Sequence, residues 1–220
     1  MVKNPCFNLS ATDLSALLCS RLCHDIISPV GAIHIGVELL DEEGMEDEAI
    51  QLIRLSTKNA ITRLNFLRVS YSYVGSNDSF LNFGKIKDIV ENFVSIDDRV
   101  KVSWIGEKST ISKKKVKILL NLFIIACSSL PRGGDIKILI NDSILNKSKD
   151  LFSFQINGVL VRLPEKFIQI ISGEWDFQVD SYEVHLYYTA LLAQEDHITL
   201  SYQKIDDQNM ILSASTDHIG

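Results

Sequence analysis

The side chains best equipped for chemistry are His24 and Asp25, set in the apolar segment LCHDIISPVGAIHI (22–35). Imidazole changes charge near neutral pH and can act as a nucleophile through whichever ring nitrogen is unprotonated. An adjacent carboxylate can hold the proton on one nitrogen and leave the other free to attack. If the segment is helical, the positions three, four and seven away share the face of His24: Leu17, Ser20, Arg21, Ile27, Ser28 and Gly31. Ile26 lies about 200° around the helix from His24, so an inward Ile26 turns His24 outward. The expected patch holds Arg21, Ser20, Ser28 and the bare backbone of Gly31, with room for a second protein to approach. Arg21 carries donors suited to phosphate oxygens. Pro29 removes the backbone N–H that would bond the Asp25 carbonyl and should bend the helix there. An outward histidine beside an aspartate is also what an ordinary solvated surface looks like, and helix geometry alone leaves both readings open.

Two long helices are needed to present these residues. Ser10 followed by Asp13 resembles a capping box. From there Leu14, Leu18, Leu22, Ile26, Val30, Ile33, Val37 and Leu40 recur at helical spacing. The run DEEGMEDE (41–48) supplies a turn glycine and the acids of a new helix start. Ile50, Ile53, Thr57, Ala60, Leu64, Leu67, Tyr71 and Val74 continue the pattern. Each helix is roughly 45 Å long, and so short a connection makes them an antiparallel hairpin. Residues whose numbers sum to about 87 then share a level, which puts Arg63 and Phe66 near His24 as candidate partner contacts. Leu17, Ile27, Ile35, Leu39, Leu52, Leu55, Ile61 and Phe66 are too many apolar residues for one seam to cover. Pairing of two hairpins into a four-helix bundle, a homodimer, would cover them; a second domain packed on the hairpin is the alternative.

The polar stretch GSNDSFLNFG (75–84) reads as a boundary. Beyond it the pattern predicts helices over 85–94, 112–130, 164–172 and 181–195. Strands are expected over 99–105, 135–141, 150–157, 197–205 and 209–215, the last two a hairpin. Ser112 is a candidate N-cap, and Pro164 suits a first helical position. The expected class is α+β: a helical hairpin over 8–75, then an α/β layered domain with a largely antiparallel sheet over 84–218.

Composition excludes several classes. The 220 residues carry 22 basic and 28 acidic side chains, a net charge of −6. That gives no general electrostatic footprint for nucleic acid, and the lysine run at 113–117 suits a solvated helix end. The first ten residues lack a signal-peptide core. The apolar stretch 118–130 is too short for a bilayer, so no membrane partner and a cytoplasmic location are expected. Cys6, Cys19, Cys23 and Cys127 lack the further ligands a zinc or redox site needs. They are expected to be reduced and to serve as small apolar residues, and no metal is expected. His34, His185, His197 and His218 are assigned no site.

The segment His24-Asp25-Ile26-Ile27-Ser28-Pro29-Val30 resembles the phosphoacceptor box of two-component histidine kinases, departing at Ile27, where those kinases usually have Arg or Lys. LLNLFIIACSSLPRGGDIKI (119–138) resembles their Asn-Leu-x-x-Asn-Ala segment: Asn121, Leu122 and Ala126 match, and Ile125 replaces the Asn that would ligate the magnesium of bound ATP. Ile156-Asn157-Gly158-Val159-Leu160 stands where an Asp-x-Gly-x-Gly adenine segment would be, and Asp180-Ser181-Tyr182-Glu183-Val184 stands where a glycine-rich lid would be. LCSRLCHD followed by SPVGAI is similar to phosphorelay histidine phosphotransferases, relatives of those kinases with a degenerate ATP domain.

That resemblance implies a dimeric four-helix bundle followed by a kinase-ATPase-like α/β sandwich. It implies that His24, aided by Asp25, accepts a phosphoryl group from a receiver-domain aspartate and passes it to another response regulator without ATP. The donor would be the receiver domain of a hybrid histidine kinase, and the acceptors receiver domains of response regulators. Leu17, Ser20, Arg21, Ile27, Ser28, Gly31, Arg63 and Phe66 would form the partner surface. No cofactor would be bound by this chain, the magnesium ion belonging to the receiver. The alternatives are an active soluble sensor kinase and a non-catalytic receiver-binding module.

Overall fold

The computed structural model describes residues 7–71, 80–106, 108–141 and 150–216. Helix α1 (Ala11–Leu39) opens on Ser10, whose side chain accepts from the Asp13 N–H and caps the first turn. It runs unbroken through Pro29. A turn with Gly44 at φ +83° leads into α2 (Glu46–Tyr71), which begins with three acids at the positive end of its dipole. Val74, the expected boundary at 75, Cys6 and His218 lie outside the described residues.

The hairpin seam is narrower than the hydrophobic pattern predicts. Pro29 and Gly36 of α1 are buried, as are Ala49, Ser56 and Ala60 of α2. A Cβ added at Gly36 would sit 2.6 Å from the Ile53 side chain and 3.3 Å from the Ala49 carbonyl. The helices meet where small residues let the backbones come closest. That rotates the contact line away from the larger aliphatics expected there: Val37 and Leu64 remain 50% and 44% exposed, and Val30, Leu40 and Ile50 are also exposed. By length and composition α1 is also apolar enough to cross a membrane, an 18-residue stretch of it having a mean hydropathy of 1.3, a property the reading of 118–130 did not address.

The second unit is built on a five-stranded sheet of order β2-β4-β5-β7-β6. In chain order its elements are β1 (Phe80–Asn82), α3 (Phe83–Val94), β2 (Val100–Ile105), β3 (Thr110–Ser112), α4 (Lys113–Ser128), β4 (Gly134–Ile140) and β5 (Asp150–Gly158). Then follow α5 (Glu165–Ser172), α6 (Val184–Glu195), β6 (Ile198–Lys204) and β7 (Asn209–Thr216). β2 and β4 are parallel, joined across α4; the remaining pairs are antiparallel. Strand alternation turns Ile136 and Ile138 of β4, Phe154 and Ile156 of β5, and Leu212 and Ala214 of β7 into one core with α4 and α6.

Three local expectations change. Phe80–Asn82, placed in the linker, pairs with β3 in a two-stranded ribbon too short to announce itself by alternation. Pro164 is the N-cap of α5 rather than its first helical residue. α6 starts at Val184, not 181, because the Asp180 carboxylate accepts from the N–H groups of Tyr182 and Glu183 and holds 180–183 as a turn.

The second unit covers one side of the hairpin, so the alternative cover for its surplus apolar surface is partly realised. Phe66 of α2 is fully buried, its ring 4.2 Å from Phe93 of α3 and 6.3 Å from Phe123 of α4. The Asn121 amide on α4 donates to the Ser70 carbonyl at 3.2 Å and the Lys117 carbonyl at 2.8 Å. On α6, Tyr187 takes the N-terminal segment: the Leu9 N–H donates to its hydroxyl, and Phe7 meets its ring edge-on. Phe66→Ala should therefore destabilise the protein by about 3–5 kcal/mol, read as a lower denaturation midpoint in urea; a loss below 1 kcal/mol would show that the aromatic contact does not hold the two units together.

Candidate functional site

His24 stands on the middle of α1 with its side chain 54% exposed. Its ring nitrogens have different surroundings. Nδ1 faces Asp25 Oδ1 at 4.0 Å, an electrostatic contact beyond hydrogen-bond range. Nε2 lies 3.2 Å from the Tyr182 hydroxyl, and the two rings meet nearly perpendicular with centroids 4.9 Å apart. The Asp25 carboxylate favours a proton on Nδ1, which leaves the Nε2 lone pair to accept from the tyrosine.

Tyr182 is brought from the second unit by a short chain of polar contacts. Arg21 Nε donates to Asp25 Oδ2 at 3.0 Å, one turn along α1. Its Nη1 donates to the Tyr182 carbonyl at 2.9 Å. The Asp180 carboxylate fixes the Tyr182 and Glu183 N–H groups at 2.8 and 3.0 Å, and Glu183 pairs with Lys166 of α5. The turn at 180–183 is thus held on both sides, by Arg21 from α1 and by its own aspartate.

Several expected site residues gather here. Ser20, Ser28 and Ile27 are exposed beside His24, Ile27 at 68%. A Cβ added at Gly31 would meet nothing within 4 Å, so the ground next to His24 is open. Arg21 is close but is not the free phosphate-facing donor expected, because its guanidinium is engaged by Asp25 and the Tyr182 carbonyl. Three residues do not belong. Leu17 packs against the second unit's core. Phe66 is fully buried, since the rule that equates height along a hairpin says nothing about which way a residue points. Arg63 turns into a cleft of about 240 Å³ with Val94, Asp97, Arg99 and Cys127, a lining that contains nothing from the surroundings of His24. Tyr182 is the residue that sequence reasoning missed. It lies 158 positions from its histidine, and its segment drew notice only for lacking glycine.

Burial pushes the Cys127 thiol up to about 12. Cys19 and Cys23 are free and exposed on α1. No cluster of three or more metal-ligating side chains occurs among the described residues. His185, on α6 just past Tyr182, is held down at about 4, first by burial and second by the charge of Arg21.

The model of the histidine phosphotransferase C-terminal domain family matches residues 83–208. A protein phosphotransferase named ChpT from Brucella abortus (strain 2308) is 38% identical over 194 residues, 88% of this chain and 91% of that one. A bacterial phosphotransferase whose structure was solved at 1.7 Å superposes with a TM-score of 0.84 at 35% identity, over 97% of this chain and 100% of that one. A more remote structural likeness, at a TM-score of 0.47 and 12% identity, is to the histidine kinase domain of a blue-light activated kinase from Erythrobacter litoralis, over 94% of this chain and 95% of that one.

Two outcomes test the site's architecture. Arg21→Met should release the Tyr182 carbonyl and speed hydrogen exchange of the Tyr182 and Glu183 amides; unchanged exchange would mean that Asp180 alone holds the turn. The second concerns His185. The unfolded imidazole protonates near 6.5 and the folded one near 4, so between those values the unfolded chain binds the extra proton. Its contribution is complete above pH 6.5 and is lost as the pH falls toward 4, on the order of 3 kcal/mol in all. His185→Leu should flatten the stability profile across that window, and an identical slope in the variant would show that other groups set it.

Proposed function

The chain belongs to the histidine phosphotransferase family, and we propose that His24 is its phosphoryl acceptor, taking the group from one receiver domain and delivering it to another. The observation that carries this reading is the half-exposed imidazole, set on a rigid helix with open ground at Gly31 and Ser28. Nε2 attacks the phosphorus of a receiver aspartyl phosphate, the P–O bond to the aspartate breaks, and the carboxylate leaves. Asp25, 4.0 Å from Nδ1, favours the ring proton on that far nitrogen electrostatically. The magnesium ion that neutralises the phosphoryl oxygens is supplied by the receiver, and the ridge formed by Ser20, Ile27, Ser28 and Gly31 is the surface it docks on. The donor is the receiver of a hybrid histidine kinase, and the acceptors are receivers of response regulators.

This chemistry needs no nucleotide on the chain. Magnesium is held by oxygen ligands, and Ile125 offers none and is fully buried in the core. The Asn121 NH2 group donates to the Ser70 and Lys117 carbonyls, and its oxygen is buried in the interior. Both features support a phosphoryl group that arrives from a receiver and not from ATP.

The chain pairs as a homodimer in this reading. At about 100° per residue, Val30 and Val37 lie to one side of the α1 seam, and Ile50, Ile61 and Leu64 lie to the same side of α2. All five are exposed. The second unit occupies the opposite side, through Arg21 on α1 and Phe66 and Ser70 on α2. The bare side suits a second copy packed as a four-helix bundle. That packing and the seam account for the apolar character of α1, in keeping with a cytoplasmic protein.

Labelled receiver phosphate mixed with the wild-type chain should transfer its label to the protein, and His24→Ala should abolish transfer. Equal labelling of the variant, or labelling of the isolated wild type by ATP, would reject this assignment. Val37→Asp combined with Leu64→Glu should halve the mass measured by light scattering; a wild-type monomer would remove the bundle.

A further inference from the structure

The contact between Tyr182 and His24 points to a role for the tyrosine in the transfer itself. It rests on the reading of His24 as the phosphoryl acceptor. The Tyr182 backbone is fixed at its carbonyl by Arg21 and at its N–H by Asp180, at 2.9 and 2.8 Å. The residue is 57% exposed, so the hydroxyl can swing while its Cα stays in place. At 3.2 Å from Nε2, the hydroxyl stands in the space that a phosphoryl group bonded to Nε2 would enter. Such a group puts anionic oxygens within reach of a hydroxyl displaced by only a short rotation.

We propose that Tyr182 is a phosphoryl-contacting residue whose hydroxyl donates to Nε2 of His24 in the resting protein and transfers that donation to a phosphoryl oxygen once the group is bound. In the resting state it completes what Asp25 begins, selecting the ring with its proton on Nδ1 and its lone pair on Nε2. As the N–P bond forms and the bond to the donor's leaving group breaks, the Nδ1 proton passes to solvent and the hydroxyl turns to the dianionic phosphoryl group. A hydrogen bond to an ionised acceptor is roughly twice as strong as one between neutral partners. The switch therefore favours the phosphorylated state and slows its hydrolysis.

The second unit thus contributes to transfer through a single side chain, from the segment that in related kinases would form a glycine-rich lid. A flexible glycine loop could not keep a donor at this position; a turn capped by Asp180 and tied down by Arg21 does.

Phosphoramidate, a small donor that phosphorylates imidazole with loss of ammonia, tests this without any receiver. The full-length wild type, Tyr182→Phe, Tyr182→Ala and His24→Ala are treated with it, and the phosphohistidine is followed by phosphorus NMR and intact mass at constant pH. Wild type should label at His24, read separately from the exposed His34 by mapping the modified peptide. In Tyr182→Phe the phosphohistidine lifetime should shorten about fivefold, as it should in Tyr182→Ala. In the unphosphorylated protein, ring-nitrogen NMR should show the His24 Nε2 resonance shifted by Tyr182→Phe. Undiminished labelling of His24→Ala overturns the acceptor assignment and this inference with it. Labelling at His24 with equal lifetimes in wild type and Tyr182→Phe, or an unshifted Nε2 resonance, overturns the role of Tyr182 alone. A lifetime shortened only in Tyr182→Ala assigns the effect to ring packing and also overturns it.

Discussion

Everything at the site depends on how the sheet-bearing unit is seated on the helical hairpin. Phe66 enters the aromatic core between Phe93 and Phe123, and Asn121 ties α4 to the end of α2. Burial of a phenylalanine at full depth is a strong, non-directional force; the buried amide adds direction, because its N–H reaches the Ser70 carbonyl only in this alignment, while its oxygen stays unpartnered in the interior. Together they fix where α6 and the turn before it fall along α1. His24 has a tyrosine beside it only because of that placement.

The same seating sets the electrostatics around the histidine. Arg21 neutralises Asp25 in part, binds the carbonyl of the incoming turn and adds to the burial that chiefly depresses the titration of His185 behind it. A single guanidinium, with several donors in a fixed fork, thus serves three neighbours. This explains why the side chain is drawn inward and not held out toward solvent.

Much of this was legible in the sequence, for identifiable reasons. The two long helices, the five principal strands and the Ser10 and Ser112 caps follow from local periodicity and capping chemistry, both short-range. The exposure of His24 followed from helical spacing, and the open ground at Gly31 from the absence of a side chain. The choice of seam was not legible. The larger aliphatic residues outweigh Pro29, Gly36 and Ala60 in any hydrophobic count, yet close backbone approach favours the small ones. Nor could spacing show that Phe66 and Leu17 turn toward a second unit, since that depends on which face the later domain selects. Tyr182 was beyond reach for the same reason: its meaning arises from a contact across most of the chain.

The amide of Asn121 meets α2 at Ser70, in the last turn of that helix, where backbone carbonyls have no partner further along. The helix therefore receives its terminal cap from a side chain in another structural unit. Loss of order in the sheet domain would fray α2 from its end, and a frayed α2 would strip Phe93 and Phe123 of their neighbour. The two units are bound to melt in a single cooperative transition, not as beads that come apart one after the other.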